Sequence, residues 1–154
     1  MPLKPQLATT ASEDHAIRLC GDDGWRAEQK LDGQRLIVEI EGQELRGINR
    51  EGKIIRLSDT IANSFEPFSG TWAFDGELMA DGTFWIFDMP LAMSNVKLST
   101  PYSERRSVLD AFYTKVFDGS PHIKLLPSYS TSQEKIDLAR TVIKNNGEGV
   151  MLKK

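Results

Sequence analysis

An α+β domain, with antiparallel sheets flanked by helices, is the expectation set by three features of this sequence. Apolar and polar residues alternate over much of residues 25–89, in runs short enough for strands and broken at Asp32-Gly33, Glu51-Gly52 and Asp81-Gly82. From Ser103 the period becomes helical, with Val108, Leu109, Phe112 and Val116 on one face. Helix-start residues, Ser58 and the pair Thr131 and Glu134, stand ahead of two further apolar segments.

After an irregular start, WRAEQK (25–30) and QRLIVEIE (34–41) flank Leu31-Asp32-Gly33, the Asp-Gly signature of a tight hairpin. ELRGIN and KIIRL form the next strand pair, turned at Arg50-Glu51-Gly52. Residues 58–66 are expected as a short helix capped by Ser58, and TWAFDGELMA with TFWIFDM as a second hairpin about Asp81-Gly82. The helix after Ser103 carries Glu104-Arg105-Arg106 beside its apolar face, with both arginines on the solvated side. IKLLPSY is a strand. Thr131 and Glu134 make a capping box before Ile136, Leu138, Val142 and Ile143, and Gly147 closes that helix as its C′ residue. EGVMLKK is the last strand. Trp25, Trp72, Phe74 and Leu78 are assigned to the core, because a buried sheet face needs alternating large residues. With no repeat, low-complexity tract or linker, residues 1–154 are expected as one domain.

A chain of 154 residues and 17.3 kDa buries a core without disulfides or a structural metal. Its 40% hydrophobic and 27% charged residues are those of a soluble domain, and no apolar run approaches the ~20 residues of a membrane span. The opening MPLKPQLATT lacks the apolar stretch of a signal peptide, so a cytoplasmic protein without a membrane role is expected. Cys20 has no second cysteine, and His15 and His122 are too few to complete a zinc site with it. Net charge is −3: residues 1–100 hold ten Lys+Arg against sixteen Asp+Glu, and residues 101–154 hold nine against six. That asymmetry names no partner.

The chemistry starts at Lys30, a lysine at a strand end before an Asp-Gly pair, where its amine can project into a cleft. Asp75 and Glu77 share one strand face; Trp85, Phe87 and Asp88 lie on WIFDM, and Glu148 opens the last strand. One lysine, several carboxylates and aromatic rings are parts for a nucleotide: rings stack on a base, carboxylates accept ribose hydroxyls or hold a divalent metal, and arginines pair phosphates. A lysine nucleophile attacks through its neutral amine, which burial, neighbouring cations or a metal favour.

In order along the chain, these segments resemble the motifs of the covalent nucleotidyltransferases, most closely the adenylation domain of ATP-dependent DNA ligases of phage and bacterial type. KLDGQR resembles motif I (KxDGxR), INREG motif Ia, FDGEL motif III, WIFDM motif IIIa and EGVMLK motif IV. KPQLAT and PYSERRSVLDAF resemble the family's opening segment and the stretch after motif IIIa, so the resemblance covers nearly the whole chain. It implies the ATP-grasp-like nucleotidyltransferase fold of the DNA ligase type, ATP and Mg²⁺ or Mn²⁺ as cofactors, nicked double-stranded DNA as partner, a monomer, and work in DNA replication, repair and recombination.

Carried over residue by residue, the resemblance makes Lys30 the nucleophile that forms lysyl-AMP. Arg35 and Arg50 would contact the nucleotide and then the 5′-phosphate of the nick. Glu28 would face the adenine amino group, Glu77 would hold the ribose and Phe87 would stack on the base. Glu148 would act at the metal and phosphate, with Asp75 as a second metal ligand. An RNA ligase or capping-type nucleotidyltransferase is the alternative within the superfamily, and a non-catalytic remnant that binds nucleotide or nucleic acid is the alternative outside it. Because family members continue into motif V and an OB domain, a chain ending at Lys153-Lys154 is expected to be an adenylation domain truncated after motif IV.

Overall fold

Leu36, Val38 and Ile40 stand at every second position of one apolar run, and Phe84 and Ile86 repeat the spacing on another, which obliges extended chain with one face inward. A computed structural model describes residues 3–93 and 96–154; Met1 and Pro2 of the opening segment, with Ser94 and Asn95, lie outside them. In chain order the elements are α1 (Glu13–Cys20), β1 (Arg26–Gln29), β2 (Gln34–Gly42), β3 (Glu44–Ile48), β4 (Ile54–Ile55), α2 (Asp59–Phe65), β5 (Gly70–Leu78), β6 (Phe84–Ala92), α3 (Tyr102–Val116), β7 (Ile123–Leu125), β8 (Ser128–Tyr129), α4 (Ser132–Lys144) and β9 (Val150–Lys153). This is the expected α+β composition, divided into two compact units. One is Gly33–Leu125 with the described residues before Gln6; the other is Gln6–Asp32 with Leu126–Lys154.

The first unit is a six-stranded sheet in the order β4-β3-β2-β5-β6-β7, antiparallel except for the parallel β6–β7 pair. Its core face presents Leu36, Val38, Ile40, Phe74, Phe84, Ile86 and Met89 to Ile61 and Phe65 of α2 and Leu109 of α3. Phe65 and Phe74 meet with ring centroids 5.1 Å apart. Gly76 lies on this inward face, where a Cβ would run into the Phe84 ring and the Trp85 backbone; glycine lets β5 and β6 close over it. Ser58 caps α2 by accepting the Ile61 N–H at 3.3 Å, and Gly82 turns the β5–β6 hairpin with φ 87°, both as the sequence predicts.

The second unit is a three-stranded antiparallel sheet, β8-β1-β9, with α4 packed on β1. The Thr131–Glu134 capping box opens α4. Buried Lys135 of that helix donates to the carbonyls of Asp22 (2.8 Å) and Trp25 (2.9 Å), tying down the loop that leads into β1. No helix among the described residues is long and apolar enough to cross a membrane.

Several local expectations are corrected. WRAEQK and QRLIVEIE do not pair, because β1 and β2 belong to different sheets. The Lys30 N–H goes to the Gly149 carbonyl at 2.9 Å, while β2 takes β5 in nine registered pairs from Gln34↔Leu78 to Gly42↔Gly70. Gly33 is not at positive φ; it is needed because a Cβ would lie 2.5 Å from the Leu78 carbonyl. IKLLPSY divides into β7 and β8, which join different sheets on either side of Leu126-Pro127. Asn146 (φ 53°), not Gly147, is the left-handed residue ending α4, and the Gly147 N–H reaches back to the Val142 carbonyl at 2.8 Å in a Schellman arrangement. Helix α1, which the expected irregular start did not include, is short, has no buried residue and is capped by Ser12, which accepts the His15 N–H at 3.3 Å. On α3, Arg106 is 2% exposed and Val116 47%, the reverse of the expected faces.

Candidate active site

In the second unit, β1 delivers Lys30 from its C-terminal end and the chain entering β9 delivers Glu148. Lys30 Nζ donates to Glu148 Oε1 at 3.0 Å, with the two side chains 49% and 42% exposed. The pair is held from below by the Lys30 N–H bond to Gly149, where φ is 150°. Two residues back, Glu28 is fully buried. Its Oε1 accepts from Lys153 Nζ at 2.7 Å and its Oε2 from Ser128 Oγ at 2.9 Å, so both neighbouring strands hold this carboxylate. Lys153 is therefore bonded to a candidate site residue, a contact the sequence reading did not give it.

In the first unit, the sheet face opposite the core carries the polar residues. Register places Arg35 of β2 beside Glu77 of β5, Glu77 beside Trp85 of β6, and Trp85 beside Lys124 of β7, one row across four strands. The next row sets Ile37, Asp75 and Asp88 side by side. Between these rows β6 has a bulge: Asp75 and Gly76 are adjacent on β5, yet their partners Asp88 and Ile86 are two residues apart, which makes Phe87 the inserted residue. The effect shows in burial. Ile86 and Met89 both enter the core, and Phe87 and Asp88 both face the other way, half-buried.

Two guanidinium–carboxylate forks neutralise this face. Arg35 donates to Asp75 through Nε (2.6 Å) and Nη2 (2.7 Å) and lies over the Phe87 ring at 5.0 Å. Burial opposes the charge of Arg35, but the hydrogen bonds and charge of Asp75, with Glu77 and Asp88, outweigh it and raise the pKa above the ordinary arginine value. Arg105 of α3 donates to Asp88 through Nε and Nη2, each 2.8 Å, and these bonds raise its pKa against partial burial. Arg105 and Arg106, expected in solvent, are thus tied to strand β6 or buried against it.

Of the residues singled out in the sequence, Lys30, Glu28 and Glu148 fall on adjoining segments of the second unit, and Arg35, Asp75, Glu77 and Phe87 on one sheet face of the first. Arg50 is exposed on the β3–β4 turn, whose backbone Asn49 Oδ1 fixes by accepting the N–H groups of Glu51 (3.1 Å) and Lys53 (2.9 Å). Asp75, expected as a metal ligand, has both its oxygens engaged by the Arg35 fork. No group of three or more His, Cys, Asp or Glu suited to a metal ion occurs among the described residues.

The α+β topology matches the nucleotidyltransferase-type fold of ATP-dependent DNA ligases. The chain is similar to the Chlorella virus DNA ligase-adenylate (TM-score 0.67, 19% identity, 100% of this chain and 60% of that one). It is also similar to a Lig E DNA ligase (TM-score 0.66, 20% identity, 100% and 63%) and to mycobacterial DNA ligase D complexed with ATP (TM-score 0.62, 21% identity, 84% and 48%). The chain therefore spans about half to under two thirds of the length of these proteins. No protein-family model and no curated protein sequence matches it.

Proposed function

We propose that this chain is the adenylation part of an ATP-dependent DNA ligase, whose nucleotidyl-transfer chemistry takes ATP and nicked double-stranded DNA as substrates. The observation that carries the reading is the Lys30–Glu148 pair. Two residues 118 positions apart, each from a ligase-like motif, meet at 3.0 Å in a chain of ligase fold.

In this reading the neutral Lys30 amine attacks the α-phosphorus of ATP, the bond to the leaving pyrophosphate breaks, and an amine proton is lost to give lysyl-AMP. AMP then passes to the 5′-phosphate of a nick, which frees the lysine, and the adjacent 3′-hydroxyl displaces AMP to close the phosphodiester. Phe87 stacks on the base, Glu77 accepts from the ribose, Arg35 and Arg50 contact phosphate, and Glu28 turns to the adenine amino group only by giving up its bond to Ser128 or Lys153. Glu148 is the carboxylate suited to Mg²⁺ or Mn²⁺, since a hard cation of this kind takes one or two protein carboxylates and completes its shell with water and substrate phosphate. The metal supplies charge neutralisation at the phosphates.

Incubation with α-labelled ATP and Mg²⁺, followed by denaturing electrophoresis, tests the proposal. The expected result is an acid-labile, base-stable label on the protein from α- but not γ-labelled ATP, absent in Lys30→Ala. Label that persists in folded Lys30→Ala, or no label at any divalent ion tried, overturns it.

A further inference from the structure

We infer that Tyr102, Arg105 and Arg106, at the start of α3, are positioning residues that hold the β6 bulge and thereby fix the direction of the Phe87 ring. The inference rests on the nucleotide reading above for its purpose, and on geometry for its existence.

A bulge bends its strand and aims the inserted side chain out of the regular alternation, but it also loosens the local ladder. Here the loosened stretch is gripped from outside the sheet. The Phe87 carbonyl accepts from Tyr102 Oη at 3.2 Å and from Arg106 Nη1 at 3.5 Å. The next residue, Asp88, is clamped by the Arg105 fork, and its Oδ1 also accepts the Met89 N–H at 2.8 Å. Arg105 is itself fixed, since Nη1 donates to the Thr100 carbonyl at 2.6 Å and the guanidinium lies over the Tyr102 ring at 5.5 Å. Arg106 is held by Asp110 at 2.7 Å.

These contacts are costly to build. Tyr102 and Arg106 are buried, and Arg105 and Asp88 are 16% and 14% exposed, so two guanidinium groups leave water largely to serve the backbone and side chain of two strand residues. A helix that only covered the sheet would bury apolar residues there, as Leu109 does one turn later. The polar anchors fall on the bulge, and the ring they steer is the one over which Arg35 lies. Pre-setting that ring removes an ordering cost from nucleotide binding.

The test uses the 154-residue chain with isotope-labelled phenylalanine rings, comparing wild type with Arg105→Gln and with Tyr102→Phe. The second variant deletes one oxygen and keeps the ring beneath Arg105, so it decides the matter if Arg105→Gln does not fold. Nuclear Overhauser contacts between the Phe87 ring and the Arg35 side chain should weaken or vanish in the variants, while those among the core rings Phe74, Phe84 and Phe65 persist. Unchanged Phe87–Arg35 contacts in both variants would overturn the inference. A second arm measures ATP affinity in a double-mutant cycle. Tyr102→Phe should weaken ATP binding severalfold in the wild-type background and by no more than experimental error in Phe87→Ala, whereas a merely structural effect would be equal in both and overturn it. If wild type binds no ATP, the nucleotide reading fails and the ring contacts alone decide the positioning role.

Discussion

Arg35 and Asp75 lie diagonally across β2 and β5, joined by two hydrogen bonds of 2.6 and 2.7 Å that leave the side chains 19% and 7% exposed. Removing the carboxylate would leave a largely desolvated guanidinium with only weaker neighbours. Asp75→Asn is therefore expected to lower unfolding stability by about 3–5 kcal/mol in urea titration. A loss below about 1 kcal/mol would rank the pair with ordinary exposed salt bridges.

Phe87 is half-buried and faces away from the cluster of Phe74, Phe84 and Ile86. Truncation should leave the fold largely intact. If the ring stacks on a base, Phe87→Ala weakens ATP binding by about 1–3 kcal/mol, measured by calorimetry beside a thermal melt. Equal affinity in both proteins would remove the stacking role.

The α+β composition, the β5–β6 hairpin and the capped helices α2 and α4 were legible because each rests on local chemistry: Asp-Gly at a turn, Ser58 and Thr131 at helix starts. What was not legible is non-local. Asp32-Gly33 carries the same letters as a hairpin turn, yet the Lys30 N–H is claimed by Gly149, more than a hundred residues away. Within the site, the sequence placed Asp75, Glu77 and Phe87 on two strands but could not show the bulge, because a bulge is a mismatch between partners. Nor could helical periodicity reveal that Arg105 and Arg106 turn inward, since their partners, Asp88 and the Phe87 carbonyl, lie on β6.

Gly33 supplies a test of that correction. A turn glycine at positive φ would tolerate the space of a Cβ and object only to its backbone angle; Gly33 has the opposite constraint, with the Leu78 carbonyl 2.5 Å from the Cβ position. Gly33→Ala should cost about 1–3 kcal/mol through overpacking, seen as a lower denaturation midpoint. An unchanged midpoint would show that β2 and β5 separate easily at this end.

Asp81 gives a pH-dependent expectation. Its Oδ1 accepts from the Thr83 hydroxyl at 2.6 Å and the Thr83 N–H at 2.9 Å, and these bonds hold its pKa below the usual aspartate value. Because the folded value lies below the unfolded one, the stabilisation is complete above the unfolded pKa and is lost as pH falls through the folded value. Carboxyl resonances followed through an acid titration should show Asp81 titrating below free aspartate, and Thr83→Val should move it back up. Identical titration in the two proteins would mean that the hydroxyl does not hold the carboxylate.

Lys30→Arg separates chemistry from stability at the proposed nucleophile. Lys30 and Glu148 are 49% and 42% exposed, so their ion pair contributes at most about 1 kcal/mol, and arginine can replace it with a charge-assisted bond of its own. The Lys30 N–H bond to Gly149 is backbone and survives any side chain. Folding stability of Lys30→Arg is therefore expected within about 0.5 kcal/mol of wild type. Nucleophilicity is another matter, because a guanidinium stays protonated at any pH the fold tolerates and offers no lone pair to phosphorus. Covalent labelling from α-labelled ATP should vanish in Lys30→Arg as completely as in Lys30→Ala, while non-covalent ATP binding is retained to within about tenfold, since the positive charge remains. Labelling that survives in Lys30→Arg would move the nucleophile to another residue, and a large loss of stability would show that Lys30 is built into the packing of the β1–β9 end rather than presented from it.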